Sequence, residues 1–159
     1  MRIYSHKNTM PYSDLTKGRH SENWRAYFVT TVLAEHERCY FGDFSSARLV
    51  IAEMQGLHTS GAVHSLAWVV MPDHVHWLFQ LGESTTLASV VKGFKARSAH
   101  RVNRYLNRRG GLWQKAYYDH AVREEEDIRA IARYIVANPL RAGLVENIGD
   151  YPHWDAIWL

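Results

Sequence analysis

The chain has 159 residues, 47% of them hydrophobic, with 19 lysines and arginines, 16 aspartates and glutamates and a formal net charge of +3. That length suffices for one ordinary hydrophobic core, so we expect residues 1–159 to form a single domain. A single cysteine, Cys39, excludes an intramolecular disulfide and a cysteine-based metal cluster, as is typical of a reducing compartment. No apolar run suits a membrane span or a secretion signal, and we expect a cytoplasmic protein that does not bind membranes.

The first half of the sequence alternates between strand-like and helix-like segments. Residues 1–23 are polar and without a clear period, and we interpret them as an N-terminal arm. Aromatic and β-branched residues predict a strand at 27–33. Apolar residues at steps of three and four predict a helix over 43–56, which ends in a glycine. Residues 64–81 are strongly apolar and predict two strands, or one strand bent at Pro72.

The second half continues the alternation. Helical spacing predicts a helix over 87–106, followed by a turn and a strand over 112–122. A last helix is predicted to begin at the acidic residues 124–127 and to end near Asn138, because a proline follows. Residues 146–159 are interpreted as a C-terminal tail. This order predicts an α+β, ferredoxin-like (RRM-like) sandwich, with an antiparallel sheet, helices on one face and an additional C-terminal helix.

Basic residues are concentrated in the second predicted helix and in the turn after it. No aspartate or glutamate occurs between Ser84 and Tyr118. The basic residues of this segment are Lys92, Lys95, Arg97, Arg101, Arg104, Arg108, Arg109 and Lys115. Solvated helix faces normally mix both signs of charge, so we predict that these residues contact the phosphate backbone of a nucleic acid. An ordinary solvated helix face is the alternative.

Two histidines, His74 and His76, lie within a strongly apolar segment. Because side chains alternate along a strand, both imidazoles project to the same side, and two nitrogens can converge on one point. The chain has 10 histidines, so roughly 0.6 such pairs are expected by chance. Taken alone, the pair therefore fits two hydrogen-bonded structural histidines as well as a metal site.

Tyr134 and Asn138 stand one helical turn apart in the last predicted helix. Their side chains are therefore neighbours on one face, at the edge of the predicted apolar stripe, and they can share one site. The spacing alone is weak evidence, since an aromatic residue at the rim with a solvated hydroxyl is the simpler interpretation.

Three segments, which follow one another along the chain, extend these observations. They are residues 68–76 (WVVMPDHVH), 112–123 (LWQKAYYDHAVR) and 134–145 (YIVANPLRAGLV). Together they resemble the HUH single-tyrosine transposases, most closely the REP-associated tyrosine transposase branch, and the resemblance spans nearly the whole chain. It implies that His74 and His76 bind a divalent cation, that Tyr134 is the catalytic nucleophile and that Asn138 is the third protein ligand.

The resemblance also implies a reaction and a substrate. Two imidazoles and an amide oxygen suit Mg²⁺ or Mn²⁺, with positions left for phosphate oxygens. In this family the tyrosine attacks single-stranded DNA, which yields a 5′-phosphotyrosine and a free 3′-hydroxyl, and the reverse reaction rejoins strands. The branch recognises a DNA hairpin with a short single-stranded flank, a repetitive extragenic palindrome. By resemblance we expect a monomeric bacterial enzyme that acts at the nucleoid.

Further residues of these segments have several interpretations. His120 could orient a metal ligand, contact phosphate or form a hydrogen bond within the fold. Tyr117 and Tyr118 are alternative nucleophiles, although packing or base stacking is the better interpretation. The tail, at residues 151–156, lacks the serine pair expected in this branch.

Two other functions are compatible with the sequence. A non-catalytic hairpin-binding module of the same fold would use the basic helix but not Tyr134. A metal-dependent hydrolase would use an activated water and would leave no covalent adduct.

Overall fold

The computed structural model describes residue 22 and residues 24–159, so nearly all of the predicted arm at 1–23 lies outside the described residues. A five-stranded sheet has the order β4-β1-β3-β2-β5, and each pair of neighbours is antiparallel. The strands are β1 (Ala26–Val32), β2 (Val63–Val70), β3 (His74–Leu81), β4 (Tyr118–Ala121) and β5 (Trp154–Ala156). The helices are α1 (Phe44–Thr59), α2 (Leu87–Tyr105), α3 (Ile128–Val136) and α4 (Asn138–Arg141), with 3-10 turns at His36–Arg38, Tyr40–Gly42 and Ile148–Asp150.

The predicted ferredoxin-like sandwich is confirmed by the order of elements and strands. Strands β1 to β4 and helices α1 and α2 follow the β-α-β-β-α-β pattern of that fold. The predicted tail contributes β5, which pairs with β2 through Trp68 and Asp155. In the part of the chain that the structure describes, no helix has both the length and the apolar character of a membrane span.

The two faces of the sheet bury two separate sets of apolar side chains. On one face, Trp77 and Phe79 of β3 pack in a cluster with Ile51 of α1 and Phe94 of α2. On the other face, Leu78 packs with residues of α3. Because side chains alternate along β3, the even-numbered residues of this strand all face α3. Two helices therefore cover one face, and the C-terminal helix α3 lies on the other, over β2, β3 and β5.

The element boundaries differ from the predictions for local reasons. Helix α1 continues past Gly56, where a side-chain Cβ would meet nothing within 4 Å, and the chain turns instead at Gly61 with φ of 77°. The predicted strand at 112–122 is shorter, since only Tyr118–Ala121 pairs with β1 as a strand. Its first part is joined to the sheet by a single bridge between Leu33 and Trp113.

The last predicted helix is two helices. The acidic residues 124–126 precede α3, and Asp127 is its N-cap, accepting hydrogen bonds from the backbone nitrogens of Arg129 and Ala130. Pro139 does not end helical structure but occupies the first turn of α4, where a missing N–H costs nothing. One residue, Ala137, separates the two helices.

Candidate active site

The histidine pair opens strand β3. His74 and His76 are its first and third residues, on the face that carries α3. Their Nε2 atoms lie 3.2 Å apart. Two imidazole nitrogens bound at about 2.1 Å to one cation, at about 90° to each other, would be separated by about 3 Å. The spacing of the two nitrogens therefore fits a shared cation.

The other nitrogen of each ring has a hydrogen-bond partner. Nδ1 of His74 lies 2.6 Å from Oδ1 of Asp73, and Nδ1 of His76 lies 2.7 Å from Oγ1 of Thr30 on the neighbouring strand β1. With the proton on Nδ1, each ring presents the lone pair of Nε2. Such outer partners orient metal-binding histidines and select their tautomer.

The local charges favour a neutral His76. Burial lowers the pKa of His76 to about 3, and the positive charge of Arg141 acts in the same direction. Burial alone would raise the pKa of Asp73, but hydrogen bonding, chiefly from His74, holds that pKa below its usual value. At neutral pH the site thus combines a neutral imidazole with an ionised carboxylate.

Helix α3 brings Tyr134 to the same side of the sheet. Ala132, Ile135 and Val136 are buried against the sheet, whereas the Tyr134 side chain is 42% exposed at the edge of the contact. The guanidinium of Arg141, from α4, lies 3.9 Å from the centre of the Tyr134 ring. The same arginine acts electrostatically on His76. Tyr134, Arg141 and the histidine pair therefore share one face of the molecule.

Asn138 is buried at the junction of α3 and α4, with 5% of its surface exposed. Its amide nitrogen donates to the carbonyl oxygens of Ile135 at 3.1 Å and Tyr134 at 3.4 Å. No group of three or more histidines, cysteines or carboxylates that could hold a metal occurs among the described residues. The role of Asn138 as a third ligand beside the histidine pair stays a prediction.

His120 lies on the same face of the sheet but is bound to a carboxylate. Its Nε2 is 2.8 and 2.9 Å from the two carboxylate oxygens of Glu126, which also accepts a hydrogen bond from the backbone nitrogen of Arg123. The bonds from Arg123 and His120 hold the pKa of Glu126 below its usual value. Of the three roles considered for His120, these contacts describe a hydrogen bond within the fold, at the turn before α3.

The basic residues of α2 lie on the face of the sheet opposite to the histidines. Lys95 donates to two backbone carbonyls of the loop after α2, at 2.6 and 3.0 Å, and burial lowers its pKa. Arg97 and Arg101 both pair with Glu53 of α1, at 3.0 and 3.1 Å. Arg108 pairs at 3.0 Å with a glutamate that follows β1. These four side chains take part in interactions within the fold.

The loop after α2, residues 106–117, reaches the end of the sheet where the histidines lie. The backbone nitrogen of Gln114 donates to the carbonyl of Val32 at 2.8 Å, and Val32 is the register partner of His74. Six members of the predicted DNA-binding set are exposed: Lys92, Arg97, Arg101 and Arg104 on α2, and Arg109 and Lys115 in this loop. Contact of any of the eight residues with DNA stays a prediction.

Three residues near this site were not identified from the sequence. Asp73 could have been found, since it directly precedes His74. Arg141 follows Tyr134 by seven residues, about two helical turns. Helical spacing therefore predicts that the two residues lie on the same side. Thr30 is separated from His76 by 46 positions, and only the pairing of β1 with β3 brings them together.

Comparison with known proteins agrees with the family resemblance of the sequence. The family model described as "Transposase IS200 like" matches residues 47–138, a range that contains both histidines, Tyr134 and Asn138. A Haemophilus influenzae protein assigned to the REP-associated tyrosine transposases is 27% identical over 154 residues, which span 88% of this chain and 81% of the relative. The REP-associated tyrosine transposase of Escherichia coli K12 is 31% identical over 88 residues, which span 54% of this chain and 50% of the relative.

A solved structure has the same fold. It is a REP-associated tyrosine transposase bound to a REP hairpin, and it superposes with a TM-score of 0.72 at 23% sequence identity. The match covers 86% of this chain and 79% of that one.

Proposed function

Because this chain belongs to the IS200-like transposase family, we propose that it is a metal-dependent endonuclease and strand transferase that acts at DNA hairpins through a 5′-phosphotyrosine on Tyr134. The observation that carries the proposal is the convergence of the two histidine Nε2 atoms, 3.2 Å apart, on the sheet face over which α3 presents Tyr134. The hairpin bound by the structural relative supports the choice of substrate.

We propose that His74 and His76, together with Asn138, hold a divalent cation, Mg²⁺ or Mn²⁺. Two neutral imidazoles and an amide oxygen give a neutral ligand set, which suits a cation that must also bind anionic phosphate oxygens. When bound, the cation supplies positive charge that neutralises the phosphodiester and orients it for in-line displacement.

In the proposed cleavage step, Tyr134 acts as a nucleophile. Its phenolic oxygen forms a bond to phosphorus and releases its proton to solvent, while the bond from phosphorus to the 3′ oxygen breaks and that oxygen takes up a proton. The products are a 5′-phosphotyrosine and a free 3′-hydroxyl. Since one phosphoester replaces another, a second 3′-hydroxyl can reverse the step and join strands without a nucleotide cofactor.

The single-stranded flank of the hairpin is proposed to cross the β1–β4 half of the sheet face that carries the histidines. Side chains that are directly opposite in an antiparallel pair share a face, and Tyr118 pairs with Thr30, which pairs with His76. Tyr118 is 43% exposed, so a base could stack on its ring beside the histidine pair.

The test is covalent adduct formation. The protein is incubated with Mn²⁺ and a labelled hairpin that carries a single-stranded flank, and a denaturing gel is used to detect a protein–DNA adduct. We expect an adduct that is absent in Tyr134→Phe and present in the matched control Tyr118→Phe, which retains the ring. His76→Ala should abolish cleavage but change the hairpin Kd by no more than about threefold, since affinity is distributed over many phosphate contacts.

The other possible outcomes each identify a different function. Free cleavage products without an adduct would indicate a hydrolase that uses activated water. Hairpin binding without cleavage, in the presence of either metal, would indicate a non-catalytic binding module.

A further inference from the structure

Arg141 contacts the proposed nucleophile on the side of the sheet that carries the histidine pair. Its guanidinium carbon lies 3.9 Å from the centre of the Tyr134 ring, and its Nη2 donates to the Tyr134 carbonyl oxygen at 2.5 Å. Its positive charge also acts on the buried imidazole of His76. One side chain thus contacts the tyrosine at two points, on the side of the sheet that carries the histidine pair.

The guanidinium has no carboxylate partner within the described residues 22 and 24–159, where its single hydrogen bond is the one to Tyr134. An arginine has five N–H donors, so donors remain for a ligand. Asp73, the carboxylate beside the histidine pair, is bound to His74. The guanidinium is therefore a positive group next to the tyrosine, with donors that an anion could accept.

We propose that Arg141 is a catalytic residue that holds the Tyr134 ring by stacking and binds a non-bridging oxygen of the phosphate that Tyr134 attacks. This inference rests on the proposed function of Tyr134. A planar guanidinium can stack on an aromatic ring and donate to a phosphate oxygen with its edge at the same time, which a lysine cannot do.

A purely structural role for Arg141 makes different predictions. Its bond to the Tyr134 carbonyl lies at the C-terminal end of α3, where such bonds stabilise a helix. If this were its only role, substitution would lower the melting temperature and every activity in parallel, and an added ion would not restore the reaction.

The experiment compares Arg141→Ala and Arg141→Lys with Arg129→Ala, a control at an exposed arginine of the same α3–α4 unit. Adduct formation is measured under single-turnover conditions at saturating hairpin and Mn²⁺, with the Kd for uncleaved DNA and the melting temperature in parallel. We expect Arg141→Ala to slow adduct formation by about 100-fold, the usual loss for one donor to a developing charge. Arg141→Lys should recover only part of that rate, and the Kd should change by no more than about threefold.

Chemical rescue separates catalysis from folding. Guanidinium ions at tens of millimolar should speed Arg141→Ala by about tenfold or more, while urea at the same concentration should not, and neither should speed Arg129→Ala or Tyr134→Phe. An Arg141→Ala rate within about threefold of the unmodified protein would overturn the proposal. A slow variant that guanidinium does not rescue would overturn it too. If the unmodified protein formed no adduct, the proposed function itself would fail, together with this inference.

Discussion

The imidazoles of His74 and His76 are oriented by two different kinds of partner. Asp73 is adjacent in the chain and binds Nδ1 of His74 through a charged oxygen at 2.6 Å, whereas Thr30 binds Nδ1 of His76 from the next strand at 2.7 Å. The carboxylate orients its ring and adds negative charge beside the proposed cation site, whereas the hydroxyl orients its ring without adding charge. Of the two, Asp73 should therefore have the larger effect on cation affinity.

Asp73→Asn provides a test at the residue scale. The amide can still accept the hydrogen bond from His74 but carries no charge, so the Mn²⁺ concentration for half-maximal adduct formation should rise by about 10- to 100-fold. At saturating Mn²⁺ the rate should return to near its original value, because Tyr134 is untouched. The control is Asp150→Asn, at an exposed aspartate in the tail. An unchanged Mn²⁺ requirement in Asp73→Asn would show that Asp73 does not support a metal ligand.

At the scale of elements, α3 determines where the nucleophile lies. This helix has nine residues, and an isolated helix of that length is marginal in water. Asp127 caps its first turn, and Ile135 is fully buried against the sheet. The position of Tyr134 therefore depends on the docking of α3, and the hydrogen bond of His120 with Glu126 fixes the turn that leads into it.

The β1–β4 half of the same face has the character of a stacking surface. Phe28, Thr30 and Tyr118 face the same side as the histidines, and the Phe28 ring contacts the His76 ring edge-on at 5.4 Å. Exposed aromatic rings on an antiparallel sheet are a common platform for unpaired bases.

Tyr118→Ala tests this surface. We expect about a tenfold weaker Kd for a hairpin with a single-stranded flank, which corresponds to the loss of one base–aromatic stack. The Kd for a blunt hairpin should be unchanged, and Tyr118→Phe should bind both DNAs as the unmodified protein does. If Tyr118→Ala weakened binding of flanked and blunt hairpins equally, Tyr118 would not stack on a base of the flank. Fluorescence anisotropy at fixed ionic strength is a suitable measurement.

At the scale of the whole molecule, the two faces of the sheet carry different candidate functional groups. The histidines and α3 lie on one face, and the basic helix α2 lies on the other. DNA bound at Tyr134 could contact α2 only by passing around the sheet. The loop at 106–117, in contrast, meets the end of β1 beside His74.

The salt dependence of hairpin binding distinguishes these two basic regions. In Arg109→Ala combined with Lys115→Ala, both in the loop, the slope of log K against log salt should fall by about 2, or about 1 for each lost phosphate contact. In Lys92→Ala combined with Arg104→Ala, both on α2, we expect a change of less than about 1. All four residues are exposed, so neither pair should alter the melting temperature much. A larger effect from the α2 pair would mean that the hairpin lies on the helical face.

The sequence by itself determined what depends on neighbours in the chain. Strand alternation put His74 and His76 on one side, helical spacing put Tyr134 beside Asn138, and the order of elements predicted the sandwich, because these periodicities come from local backbone geometry. Only the tertiary structure decided which face α3 covers, that Thr30 meets His76 across the sheet, and that α2 lies away from the histidines. These relations depend on strand register and on which apolar surfaces are buried together, and both involve residues far apart in the sequence.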